Sequence, residues 1–163
     1  MGKAYQSSRL LEALGISKRY SSSKASIQVL SSLDITLTPR ETLAVVGASG
    51  IGKSTLLHIL GTLDRPDQGS LIYQGEDVFQ YDDQQLARFR NRTMGFVFQF
   101  HHLLAEFSAL ENAMMPALIG GLEKKEARKT AETILERVGL ADRLDHKGQQ
   151  QTCRGGTRYN RVP

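Results

Sequence analysis

The chain has 163 residues, 40% hydrophobic and 23% charged, which suffices for one domain with a core and falls short of two comfortable ones. No apolar run approaches the about 20 residues of a membrane-spanning helix, the start lacks an apolar signal segment, and the lone Cys153 excludes an internal disulfide framework, so a soluble protein of a reducing compartment is expected. The net charge of +4 sits in the tail: Lys147, Arg154, Arg158 and Arg161 follow Asp145 without an acidic residue, leaving the first 146 residues with 17 basic and 17 acidic side chains, a distribution that argues against a nucleic-acid partner.

In chain order, residues 1–9 read as a flexible N-terminus and Leu10–Tyr20 as a first strand. Ile27–Leu30 and Leu33–Leu37 alternate apolar and polar residues around Ser31-Ser32, the pattern of an antiparallel ribbon with one covered face. Pro39-Arg40-Glu41 turns into Leu43-Ala44-Val45-Val46, a short, apolar, partly β-branched run that predicts a buried strand. Leu56–Leu60 predicts a buried helix ending at Gly61. A turn at Arg65–Gly69 leads to a strand over Ser70–Gln74, and Asp82 or Asp83 is a candidate cap for a basic helix over Gln84–Arg92.

Met94–Phe98 reads as a further strand, followed at once by Gln99. Ser108-Ala109-Leu110-Glu111 fits a capping box that opens a helix in which Leu110, Met114, Leu118 and Ile119 share a face, with Pro116 placed to bend or break it. Glu123–Val138 is an amphipathic helix with Ala127, Ala131, Ile134, Leu135 and Val138 at helical spacing and Gly139 as its stop. Periodicity vanishes after Gly148, and residues 148–163 read as an aberrant, disordered tail.

The stretch that carries chemistry is Gly47-Ala48-Ser49-Gly50-Ile51-Gly52-Lys53-Ser54-Thr55, which matches G-x-x-x-x-G-K-[ST] between an apolar run and a helical one. Glycines let the backbone curl so that N–H groups line an anion nest, and the helix start adds unpaired N–H groups and a positive dipole end. Lys53 can then reach the β- and γ-phosphates of a nucleotide, and the Ser54 hydroxyl can ligate Mg²⁺. An ordinary glycine-rich strand-to-helix turn is the alternative, and the lysine-serine pair at this spacing argues against it. His101-His102 lacks companions at metal-ligand spacing, and Met114-Met115 reads as packing.

With the loop, Tyr20, Gln99 and the helix over Glu123–Val138 placed, the order of features resembles the ATPase subunits of ABC transporters over about residues 10–147. An unrelated P-loop kinase or GTPase is disfavoured by Gln99 and by the lack of an N-K-x-D motif. The resemblance implies an α/β P-loop NTPase core with an antiparallel β subdomain and part of a helical subdomain. It implies ATP and Mg²⁺ as cofactors, Tyr20 stacking on adenine, and Gln99 meeting Mg²⁺ beside Ser54. Phe98–Phe107 leading into Ala109-Leu110-Glu111-Asn112 is similar to the lipoprotein-releasing branch, the LolD type, with macrolide exporters of the MacB type as the nearest alternative. The implied partners are permease subunits docking on about Gln99–Ile119 and a second copy of the ATP-binding subunit, at the cytoplasmic face of the bacterial inner membrane.

The family pattern breaks off near residue 147. Gly148–Gly156 stands where the family has L-S-G-G-Q, and no apolar run after Gln99 leads into Asp-Glu, so no catalytic residue is identified and the C-terminal core strands are missing. A truncated or frameshifted reading frame would account for this, and a nucleotide-binding remnant without catalysis is the alternative function.

Overall fold

The computed structural model describes residues 9–21, 26–98 and 103–147, which fall into two compact units with a boundary after Phe96. Gln99, His101, His102, Cys153 and the tail from Gly148 lie outside the described residues.

The first unit is built on an antiparallel sheet in the order β2-β1-β3-β4, with β1 Leu11–Ser21, β2 Ser26–Leu37, β3 Gln68–Tyr73 and β4 Glu76–Asp77. Leu11 and Ala13 face inward two residues apart, and the next inward residue is Ile16 rather than residue 15. The ladder shifts register between Ala13 and Ile16, with Gly15 at φ 62°, and the extra residue turns Ile16 back to the covered face. The two short runs expected around Ser31-Ser32 form one strand, which Ser32 crosses at φ 45° while its N–H bonds Ser17 Oγ at 2.9 Å. Gln74 and Gly75, both at positive φ, form the two-residue hairpin turn from β3 to β4, a strand too short to leave a periodic signal.

Two helices, α1 Lys53–Leu60 and α2 Asp83–Thr93, supply Leu56, Ile59 and Leu86 to one core with Leu11, Ala13, Ile16, Leu30, Leu71 and Val78. Asp82 caps α2 in a reciprocal box with Gln85. Arg65 ties the turn after α1 to the turn before α2 by donating to the carbonyls of Phe79 at 2.8 Å and Tyr81 at 2.9 Å.

The strands expected at Leu43–Val46 and Met94–Phe98 are not formed. Val46 is 87% exposed and Val97 fully so. A strand exists as one side of a hydrogen-bonded ladder, and neither run has a ladder partner among the described residues. Apolar composition made both runs strand-like; pairing, which composition does not contain, decided against them.

The second unit is a helical hairpin of α3 Ala109–Ile119 and α4 Lys124–Arg137. Leu110 and Met114 pack on Ala127, Ala131 and Leu135, and the two alanines present little side-chain bulk at the seam. Pro116 lies within α3 without ending it. The apolar faces read from sequence are wider than the buried ones: Leu118, Ile119, Ile134 and Val138 are exposed, because what packs on α3 and α4 among the described residues covers only part of each apolar face.

Candidate nucleotide-binding site

The glycine pattern has a geometric cause at Gly52. This residue sits at φ 108° as the N-cap of α1, and a β-carbon there would lie 2.6 Å from Val29 Cγ1 and 3.1 Å from the Val29 carbonyl oxygen. Only glycine allows both the left-handed backbone and this close seating of the helix start on β2. Gly50, at φ 80°, has open space where a side chain would stand, so backbone conformation alone requires it.

The start of α1 carries no side-chain cap. The N–H groups of Lys53, Ser54 and Thr55 precede the first intrahelical bond, Leu56 N–H to the Gly52 carbonyl at 2.9 Å, and have no acceptor among the described residues. Lys53 folds back over the loop and donates from Nζ to the carbonyl oxygens of Gly47 at 2.9 Å and Ala48 at 2.7 Å. Ser54 is exposed on the first turn. A cation, three unpaired N–H groups and a helix dipole thus converge on one turn, with no carboxylate in the first turn of α1. That set suits a polyanion. It also fits the magnesium salt of one: Ser54 offers a hydroxyl oxygen, and the second expected ligand, Gln99, lies outside the described residues.

Tyr20 stands at the end of β1, 46% exposed. Its hydroxyl donates to Asp64 Oδ2 at 3.0 Å, and the Lys18 ammonium lies 5.4 Å from its ring centroid. Lys18 also donates to Asp64 Oδ1 at 2.8 Å and to the Arg65 carbonyl at 2.6 Å. Partial burial pushes the Asp64 carboxyl up, but the bonds from Lys18 and Tyr20, the Lys18 charge and the Arg65 N–H outweigh it and hold it below the usual value. The contacts of Tyr20 run to this cluster; those of Lys53 run to the loop. Sequence reasoning missed Lys18 and Asp64, since a lysine two positions before a tyrosine and an aspartate 44 positions after it share no local pattern.

In the second unit, Leu103, Leu104 and Phe107 are exposed just before α3. A polar frame holds this segment: Asn112 accepts from Leu104 N–H at 2.8 Å and donates to the carbonyls of Leu104, Phe107 and Ser108. No helix among the described residues is long and apolar enough to cross a membrane, and no cluster of potential metal ligands occurs among them.

A family model described as ABC transporter matches residues 30–158. The chain is 54% identical over 150 residues to the lipoprotein-releasing system ATP-binding protein LolD of Geobacter metallireducens, covering 88% of this chain and 67% of the relative. It is 52% identical over 152 residues to the LolD of Hahella chejuensis, covering 93% and 65%. Among solved structures, the dimeric post-hydrolysis state of the ATP-binding cassette MJ0796 bound to ADP and Pi superposes with a TM-score of 0.78 at 30% identity, over 86% of this chain and 62% of that one. The chain thus spans about two thirds or less of the length of several relatives it matches. With the loop geometry and a family model matched over most of its length, the chain belongs to the ABC transporter family.

Proposed function

We propose that this chain is the ATP-binding subunit of a transporter that releases lipoproteins from the bacterial inner membrane, seated on the cytoplasmic face through permease subunits. One observation supports the nucleotide part: at the start of α1 three N–H groups have no acceptor among the described residues, next to a lysine held by the loop's own carbonyls. The substrate part is supported by identity near 50% to lipoprotein-releasing relatives. Residues 10–147 are the proposed part of the ATP-binding domain.

In this reading Gly47–Thr55 holds the triphosphate, with Lys53 offsetting charge that neutral dipoles cannot. Ser54 and Gln99 are the residues that would hold Mg²⁺, which would supply charge neutralisation for the phosphates. Tyr20 stacks on the base, a contact worth about 1–3 kcal/mol in nucleic-acid systems and tolerant of base identity. Titration of ATP should therefore show binding that Lys53→Ala abolishes or weakens at least tenfold, whereas equal affinities would remove the assignment. GTP should compete with ATP nearly as well.

The exposed Leu103, Leu104 and Phe107 are the proposed permease-docking surface within Gln99–Ile119, because apolar clusters of this kind mark partner sites. Photocrosslinkers at Leu103 or Phe107 should capture a membrane subunit, and capture from α4 alone would refute the placement. A second cassette is the proposed partner across the nucleotide, and the similar MJ0796 cassette is dimeric.

A further inference from the structure

The end of β1 and the turn after α1 are brought together by one carboxylate. Asp64 Oδ2 accepts the Tyr20 hydroxyl at 3.0 Å, and Oδ1 accepts the Lys18 ammonium at 2.8 Å and the Arg65 N–H at 2.8 Å. The same ammonium lies over the Tyr20 ring and bonds the Arg65 carbonyl. Lys18 is 12% and Asp64 33% exposed at the side chain, so the pair is better shielded than an ordinary surface contact. The aspartate is itself fixed, because its N–H bonds the His58 carbonyl at the end of α1 at 3.3 Å. Tyr20 is therefore pinned at its hydroxyl and covered on one ring face, although nearly half exposed, in a place where an unpinned ring would sample several rotamers.

We propose that Asp64 is a positioning residue for nucleotide binding: it holds the Tyr20 ring, against Lys18 on one face, in the orientation that receives the base on the other. This rests on the reading of Tyr20 as the base-stacking residue. An exposed aromatic ring that must be ordered by the ligand loses part of its stacking gain to that ordering, and a pre-held ring does not. The clamp serves the base alone, since the phosphates are held by Gly47–Thr55.

The experiment titrates the 163-residue chain with ATP and with inorganic tripolyphosphate, which engages the loop and offers no base. Tyr20→Phe and Asp64→Ala should each weaken ATP about three- to tenfold, leave tripolyphosphate affinity unchanged, and together do no more than either alone. Asp64→Asn, whose amide oxygen still accepts the hydroxyl, should restore most of the ATP affinity. Tyr20→Ala should weaken ATP further than Tyr20→Phe. If Tyr20→Ala weakens ATP while Tyr20→Phe and Asp64→Ala do not, stacking stands and the clamp is overturned. If Tyr20→Ala has no effect, the stacking reading fails and the clamp with it. Loss of tripolyphosphate binding together with ATP in Asp64→Ala would assign Asp64 to the fold instead and overturn the proposal.

Discussion

The starts of α1 and α3 show two ways of treating the same physical problem. Every helix begins with N–H groups that lack intrahelical acceptors. At α3 each one is answered: Ala109 N–H bonds the His146 carbonyl at 2.9 Å, Leu110 N–H the Leu144 carbonyl at 3.0 Å, and Glu111 N–H the Ser108 hydroxyl at 3.2 Å. The Glu111 carboxylate reaches back to the Ser108 N–H at 2.8 Å and completes the box. At α1 the N-cap is glycine, which has no side chain to offer, and the three donors that follow have no acceptor among the described residues. A satisfied helix start is a structural joint. An unsatisfied one next to a lysine suits an anion, which is the role proposed for it above.

The comparison breaks most severely if α1 is unseated. Ile59 is fully buried against the sheet, so Ile59→Ala should cost about 2–5 kcal/mol in urea unfolding. Leu57 on the same helix is 54% exposed, and Leu57→Ala should cost far less. Comparable losses would mean that the helix is not held by the face described.

A smaller effect is expected from giving the α1 cap a side chain. Gly52→Ala must accept φ 108° and a β-carbon 2.6 Å from Val29, at a cost of about 1–3 kcal/mol, and should lose nucleotide binding. Gly50→Ala meets strain but no neighbour and should cost about 1 kcal/mol. The two glycines behaving alike would remove the close approach to β2 as the cause.

Smaller still is the removal of the α3 cap. Ser108→Ala should destabilise by about 0.5–2 kcal/mol and leave nucleotide affinity unchanged. The Ser108 backbone N–H, with help from its hydroxyl and from Lys147 and Lys124, outweighs the opposing burial and holds the Glu111 carboxyl below its ordinary value of 4.5. Its folded value being depressed, the stability it contributes is present above 4.5 and is lost as pH falls through the folded value. Acid titration of the Glu111→Gln variant should show a shallower loss of stability below pH 4.5, and parallel curves would remove the box from the pH dependence.

Local chemistry by itself determined several features. Glycines at fixed offsets before Lys53-Ser54 specify a loop and a helix start, Ser108 and Glu111 specify a cap, and Gly61 and Gly139 mark helix stops, because each acts on backbone within a few residues. Tertiary structure alone decided the rest. Leu43–Val46 and Met94–Phe98 carry the composition of strands, yet a strand is made by ladder pairing with a distant segment, and neither run is a strand of the sheet. Ile134 and Val138 carry the spacing of a core, yet burial depends on what packs against them. Lys18, Tyr20 and Asp64 meet only because an antiparallel sheet and the end of α1 bring positions 44 and 46 apart into hydrogen-bonding range.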